Sequence, residues 1–231
     1  MDIIPVIDLK GGIVVHARHG QRENYHALVT PFATCPEPLA VVDGLLGFRD
    51  FAQLYIADLD AIAGGAAHYA VIHAIASRYP RLTVWLDAGS GAPRQLAELP
   101  SLPNIDCVLG SESITSLANY AALCAALPAA RRVLSLDRGP RGELLGCNAL
   151  FESAALWPAR VIHMTLARVG SGGGPDFDGL AALRIRAPHC AVYAAGGVRD
   201  ESDLHALAAQ GVAGALVATA LHDGRITCAR L

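Results

Sequence analysis

Two aspartates, Asp8 and Asp137, each stand at the end of a short apolar run. A strand that is buried on both faces is apolar at nearly every position, so a carboxylate directly after it emerges where the strand reaches solvent. Two carboxylates on opposite sides of one pocket suit a general acid and a general base, and each role typically contributes about 10²–10⁴ in rate. An aspartate in this position can also cap the following turn. The repeated placement favours the catalytic interpretation.

Two further strand ends are rich in glycine, at Leu109 to Ser111 and at Ala194 to Val198. Glycines in such turns let backbone N–H groups approach a phosphate closely. We therefore expect a phosphate or substrate contact from Gly110, Ser111, Gly196 and Gly197. The alternative is a tight left-handed turn that binds nothing.

Three other features have weaker signals. The segment Gly170 to Pro175 is either a lid that orders over substrate, with Gly170 at its start, or a plain surface connection. His163 and Thr165, near the end of one apolar run, are candidates for an assisting role, although a histidine in a buried strand is more often a satisfied core residue. His16 and His19 lack a third ligand at a suitable spacing, so we expect no metal site.

The elements that must position these residues follow a regular order. Eight short apolar runs alternate with segments of helical period such as His68 to Tyr79, Leu117 to Ala126 and Ser202 to Gln210. This alternation predicts a TIM (β/α)8 barrel, an α/β fold, as one domain over residues 1–231. The predicted strands are Ile3 to Asp8, Gln53 to Asp58, Leu82 to Asp87, Ile105 to Gly110, Arg132 to Asp137, Arg160 to Thr165, Cys190 to Ala195 and Ala213 to Ala218.

A weak internal repeat divides the predicted barrel into two (β/α)4 halves. Pro5 to Leu9 resembles Leu134 to Arg138, and Val84 to Gly89 resembles Val192 to Gly197. The first and fifth strands then face each other across the barrel. The unequal spacing of the repeats places an insertion after the first strand, where Val15 to Pro36 is expected to form a long loop.

Composition excludes several classes of protein. The chain has 231 residues, is 53% hydrophobic and carries a formal net charge of -3, which rules out disorder and gives no footprint for nucleic acid. We expect neither a signal peptide nor a membrane span. We expect the cysteines to be reduced and the location to be cytoplasmic. The expected partner is a small phosphorylated metabolite, and the oligomeric state stays open.

Several motifs resemble those of the histidine-biosynthesis barrels, and of their isomerase branch (HisA) in particular. They are Ile4 to Gly12, Gly20 to Tyr25, Ile56 to Ala61, Ser135 to Asp137, Ala194 to Val198 and Ala220 to Thr227. The resemblance implies an Amadori rearrangement of an aminoaldose phosphate to an aminoketose, without metal or cofactor. It implies that Asp8 is the general base at the second carbon and Asp137 the general acid at the ring oxygen. It also adds Gly20, Gly89, Ala218 and Thr219 as candidate substrate or phosphate contacts.

The chain departs from the family pattern at four places. Met164-Thr165 replaces a Thr-Asp or Thr-Glu pair, and Val169 replaces an aspartate in the following loop. Asp87 to Gly91 replaces a Gly-Gly-Gly-Ile-Arg phosphate motif, and Ala218-Thr219 replaces Gly-Arg. Loss of an arginine removes a charge-assisted contact, and Asp87 would repel a phosphate.

The sequence therefore predicts a HisA-type sugar-phosphate isomerase. Three alternatives stay open: a divergent paralogue that acts on another substrate, for example in one-carbon cofactor metabolism, the related cyclase-lyase (HisF), and a non-catalytic barrel subunit. The cyclase carries Val-Lys-Gly after its first-strand motif, whereas this chain has Val15 to Arg18, which weighs against it.

Overall fold

The fold is a closed barrel of parallel strands, seen in a computed structural model that describes residues 1–17, 24–99 and 102–227. Each barrel strand pairs with the next along the chain, and the last barrel strand pairs with the first to close the cylinder. The predicted TIM barrel is thereby confirmed, with strand ends within about two residues of those expected. The barrel strands are β1 (Asp2–Lys10), β4 (Gln53–Asp58), β5 (Thr83–Asp87), β6 (Ile105–Gly110), β7 (Arg132–Arg138), β8 (Arg160–Thr165), β9 (Ala191–Ala195) and β10 (Gly214–Val217).

Side chains alternate between the barrel interior and the layer under the helices, because successive residues of a strand point to opposite faces. One cluster fills the interior with a residue from every barrel strand: Ile4, Tyr55, Trp85, Val108, Val133, Ile162, Tyr193 and Leu216. The intervening residues, such as Ile7 and Leu86, pack outward beneath the helices. The plug of interior side chains makes the barrel a solid core, so a ligand can bind only at its mouth.

The connecting helices cover the outside of the barrel. Several begin at a residue whose side chain accepts a backbone N–H of the first turn, such as Ser116 before α5 and Asp200 before α8. The helices are α1 (Pro38–Phe48), α2 (Leu59–Ile62), α3 (Tyr69–Arg78), α4 (Pro93–Glu98), α5 (Leu117–Ala125), α6 (Asn148–Glu152), α7 (Phe177–Arg186), α8 (Glu201–Ala209) and α9 (Thr219–His222). No helix within the three described ranges is long and apolar enough to cross a membrane.

The segment after β1 differs from the expected long loop. It contains β2 (Ile13–His16), antiparallel to the end of β1, and β3 (His26–Ala27), antiparallel to β2. The loop prediction was wrong at this point, because the β-branched run Ile13 to Val15 continues the sheet after a two-residue glycine turn. Residues 18–23 between the two strands, including the predicted contact Gly20, lie outside the described residues.

The turn Gly11-Gly12 between β1 and β2 is hydrogen-bonded to residues of the segment that follows β4. The Gly11 N–H donates to the Asp60 carboxylate at 2.6 Å, and the Gly12 N–H lies 3.0 Å from Nε2 of His68. The fully buried carboxylate of Asp58 in turn accepts from the His68 backbone N–H at 2.6 Å. The polar residues at the end of β4 and in the segment that follows it therefore shape the rim of the barrel.

Candidate functional site

A cavity with a volume of about 1040 Å³, counting its open mouth, lies at the carboxyl ends of the barrel strands. Asp8 and Asp137 both line it, and they come from the first and fifth of the barrel strands. The other lining residues are Val6, Ala17, Tyr25, Tyr55, Ala57, Leu59, Ile62, Asp87, Glu112, Met164, Leu166, Arg168, Val169, Gly170, Gly172, Ala195, Gly196, Gly197, Val198, Leu216, Val217, Ala218, Thr219 and Arg225. The two aspartates singled out from the sequence thus face one pocket.

Asp137 is buried in the cavity wall, where three donors hold its carboxylate. The Ser135 hydroxyl donates to Oδ1 at 2.5 Å, while the Ser111 hydroxyl and the Glu112 N–H donate to Oδ2 at 3.1 and 3.3 Å. Burial raises the pKa of Asp137 to about 7, and the negative charges of Asp87 and Glu112 add to the rise. The bond from Ser135 opposes the shift without cancelling it. Asp137 is therefore partly protonated near neutral pH, as a general acid must be.

Asp8 lies on the opposite wall in a more open setting. It is half-buried, and along β1 it alternates with the outward-facing Ile7 and Leu9. In register it stands beside Val15 of β2 and Ala57 of β4. The two aspartates therefore occupy different environments, an arrangement typical of an acid and a base that share one site.

Tyr55 lies among the acidic groups of the cavity and forms a hydrogen bond with one of them, Asp87. Its hydroxyl donates to Oδ2 of Asp87 at 3.0 Å, and its side chain is buried. Burial raises the pKa of Tyr55 well above its usual range, and the charges of Asp87, Asp137 and Asp8 raise it further. The phenol therefore stays protonated, as a fixed donor on the floor of the cavity.

Asp87 is the third carboxylate that ends an apolar strand and faces this cavity. Its Oδ1 accepts the Gly89 N–H at 3.1 Å, so it also caps the turn after β5. Asp87 carries the same sequence signal as Asp8 and Asp137, yet it is absent from the predicted site residues and enters the sequence analysis only as a departure from a phosphate motif. Tyr55 gave no signal, because its position matches that of an ordinary core residue.

The predicted phosphate contacts divide into two groups. Five of them line the cavity on the side of β8, β9 and β10: Gly170, Gly196, Gly197, Ala218 and Thr219. Gly89, Gly110 and Ser111 are not among the described lining residues, and a substrate contact from these three stays a prediction. Gly110 passes beneath the carboxylates of Asp87 and Asp137, since a Cβ there would lie 3.6 and 3.5 Å from them, and Ser111 binds Asp137.

The two candidates from β8 also point away from the cavity. His163 is buried outside the barrel, where its Nε2 lies 2.8 Å from the Asp176 carboxylate at the start of α7. Burial lowers the pKa of His163 despite this partner. Thr165 is also buried and does not line the cavity, whereas Met164 between them does. The expected assisting role of His163 and Thr165 is therefore corrected, because strand alternation turns both to the outer face.

The paired glycines after β9 have a packing reason of their own. Both have positive φ angles, 95° for Gly196 and 91° for Gly197. A Cβ at Gly196 would lie 2.6 Å from the Thr165 carbonyl oxygen, and one at Gly197 would lie 2.2 Å from that of Gly174. Glycine is thus required for the turn to pack against the loop that follows β8. The close packing also brings the backbone of this turn to the cavity surface.

No group of three or more histidine, cysteine, aspartate or glutamate side chains within the described parts of the chain is arranged to hold a metal ion. The five cysteines that the structure describes are free thiols, and Cys228 lies outside the described residues.

The chain is similar in sequence to one protein family and to several individual proteins. The model of the family described as histidine biosynthesis protein matches residues 2–227. A 1-(5-phosphoribosyl)-5-((5-phosphoribosylamino)methylideneamino) imidazole-4-carboxamide isomerase from Halorhodospira halophila is 30% identical, over 99% of this chain and 95% of that protein. The enzyme of the same name from Alkalilimnicola ehrlichii is 28% identical over 99% and 94%. An uncharacterized protein of Methanocaldococcus jannaschii is also 28% identical, over 97% and 94%.

Proposed function

The chain belongs to the histidine biosynthesis protein family, and on this basis we propose that it is a cofactor-independent isomerase that converts an aminoaldose phosphate into an aminoketose phosphate. The observation that carries the proposal is the placement of Asp8 and Asp137 on opposite walls of one cavity, in unlike environments. The names of the relatives support the reaction class, since both the Halorhodospira and the Alkalilimnicola proteins are isomerases of phosphoribosyl compounds. A small phosphorylated metabolite as partner and a cytoplasmic location belong to the same proposal.

In this mechanism Asp137 acts first. Its protonated carboxyl donates to the ring oxygen of the sugar, the bond between that oxygen and the first carbon breaks, and the amino nitrogen supplies the electron pair that forms an iminium. Asp137 suits the step because burial keeps its pKa at about 7, so the proton is present at neutral pH yet can be transferred. The hydroxyls of Ser135 and Ser111 then stabilise the carboxylate that remains.

Asp8 acts on the opposite face of the open chain. Its carboxylate removes the proton from the second carbon, and the electron pair of that C–H bond forms a double bond to the first carbon as the iminium nitrogen becomes a neutral amine. The protonated Asp8 then delivers its proton to the first carbon, and the enol hydroxyl at the second carbon releases its proton to solvent as the ketone forms. Solvent returns a proton to Asp137. The proton count is unchanged, so the reaction needs no cofactor. The position of Asp8 opposite Asp137 matches this division of roles.

The direct test is turnover with the aminoaldose bisphosphate of the histidine pathway and with phosphorylated aminoaldoses of simpler structure. Asp8→Asn and Asp137→Asn should each reduce kcat at least about 100-fold. Asp50→Asn is a matched control, because Asp50 is exposed and precedes β4 at the opposite end of the barrel. Full activity in both cavity variants would contradict the proposal and favour a non-catalytic subunit.

Growth of a histidine auxotroph that lacks the isomerase gives a second, independent test. Rescue by this chain would assign the histidine intermediate as the substrate. Failure of a folded, expressed protein to rescue, together with turnover of another phosphorylated aminoaldose, would assign a different substrate to the same chemistry.

A further inference from the structure

The two sides of the cavity differ in charge. Asp87, Glu112 and Asp137 lie together, at or just beyond the ends of the neighbouring strands β5, β6 and β7. The Lys and Arg residues among the described lining residues are Arg168 and Arg225, which follow β8 and α9. Three of the four acidic lining residues therefore form an acidic side that is separate from the two arginines, while the fourth, Asp8, lies on β1 at the opposite wall.

Five hydrogen-bond donors of the acidic side are already bonded to carboxylates of the chain. The Tyr55 hydroxyl and the Gly89 N–H bind Asp87, and the hydroxyls of Ser135 and Ser111 and the Glu112 N–H bind Asp137. Asp87 is only 8% exposed and accepts on both of its oxygens. A phosphate at this side would have to displace an internal anion to reach the same donors, whereas a hydroxyl or amino group could donate to the carboxylates as they stand.

The basic side is constructed differently. The Arg168 guanidinium is oriented by carbonyl oxygens of the adjoining loop, with Nη1 at 2.8 Å from that of Gly174, and these oxygens carry no full charge. Thr219 and the glycine turn of Gly197 lie on the same side of the cavity, and the Thr219 hydroxyl is 3.1 Å from Nε2 of His16. A guanidinium beside a closely packed glycine turn is a suitable setting for one phosphate.

We infer that the substrate carries one phosphate, bound on the side of Arg168, Gly197 and Thr219, and a hydroxyl or amino group on the side of Asp87, which excludes a second phosphate. The inference rests on the proposed function, because it assigns a substrate class to the same cavity. It separates this chain from the Halorhodospira and Alkalilimnicola relatives, whose names specify substrates with two phosphoribosyl groups. Asp87 acts as the specificity determinant by like-charge repulsion and by occupying the donors.

Binding of two matched probes, ribulose 5-phosphate and ribulose 1,5-bisphosphate, tests the inference by isothermal titration calorimetry without any need for turnover. The wild-type protein should bind the monophosphate at least about tenfold more tightly, since like-charge contacts in a recessed site are costly. Asp87→Asn should reduce that preference to less than about threefold, because it removes the charge and leaves the volume. Asp50→Asn changes the net charge equally and should keep the wild-type preference.

Each outcome has a defined meaning. Equal or tighter binding of the bisphosphate by the wild-type protein would overturn the inference while leaving the isomerase proposal intact. An unchanged preference in a folded Asp87→Asn protein would overturn the role of Asp87. Binding of neither sugar phosphate would overturn the inference, and turnover of the phosphorylated aminoaldoses would still decide the proposed function separately.

Discussion

The side chain of Ser111 forms two hydrogen bonds with Asp137, one to its carboxylate and one to its backbone. The Ser111 hydroxyl donates to Oδ2 of Asp137 at 3.1 Å, and the backbone N–H of Asp137 donates to the same hydroxyl oxygen at 2.9 Å. Ser111 is fully buried, so this two-way link between the ends of β6 and β7 is shielded from water. It fixes the direction in which Asp137 faces the cavity and supports the ionised form of its carboxylate.

The pH dependence of turnover should report this link. If Asp137 is the general acid, kcat should fall as pH rises through about 7, because the carboxyl loses the proton that it must donate. Ser111→Ala removes a donor that favours the ionised form, so the alkaline limb should move to higher pH. A pH-rate profile of both proteins checks this, and Ser77→Ala, a substitution on the outer helix α3, is the control. A flat profile above neutrality would argue against Asp137 as the acid.

The buried carboxyl should also make stability depend on pH. The folded-state pKa of Asp137 is about 7, above its ordinary value of 3.8. The native state therefore keeps a proton that the unfolded state loses, and the free energy of unfolding falls as pH rises from about 4 to about 7. One such group contributes a slope of at most about 1.4 kcal/mol per pH unit.

Asp137→Asn isolates that contribution. The variant cannot ionise, so its free energy of unfolding minus that of the wild type should increase as pH rises through this window. Urea titrations at several pH values measure the difference. A difference that stays constant from pH 4 to 7 would show that Asp137 does not retain its proton in the folded protein.

Gly197→Ala should disturb both stability and ligand binding. The substitution places a Cβ against the Gly174 carbonyl at a positive φ, so the turn and the loop after β8 must separate. Gly142→Ala is the matched control, because Gly142 has a φ of 83° and open space around its Cβ position. Both should lose about 1 kcal/mol from backbone strain, and only Gly197→Ala should lose more and weaken sugar-phosphate binding. Comparable losses in both variants would contradict this account.

His163 should matter for stability and not for chemistry. His163→Ala breaks the buried contact with Asp176 and leaves a cavity, which should cost about 2–4 kcal/mol. Because the imidazole lies outside the cavity, kcat of the folded variant should stay within about threefold of wild type. His189→Ala, at an exposed position, is the control for both measurements. A large loss of kcat without loss of stability would restore a catalytic role for His163.

The sequence by itself determined the barrel and its two opposed aspartates. Apolar runs of strand length that alternate with helical segments leave few other folds, because strands buried on both faces require covering helices. An aspartate that ends such a run must emerge at the carboxyl rim. The sequence therefore predicts that Asp8 and Asp137 lie at one cavity, and both line it. Asp87 carried the same signal.

The tertiary structure alone decided how the neighbouring residues are used. The inward position of Met164 and the outward position of His163 depend on strand register, where one residue reverses the face. The binding of Ser111 to Asp137, and of Tyr55 and Gly89 to Asp87, joins residues from different strands. Such contacts arise only when the sheet closes and sets the distances between strand ends. A linear pattern records the residue types along each strand and does not contain those distances.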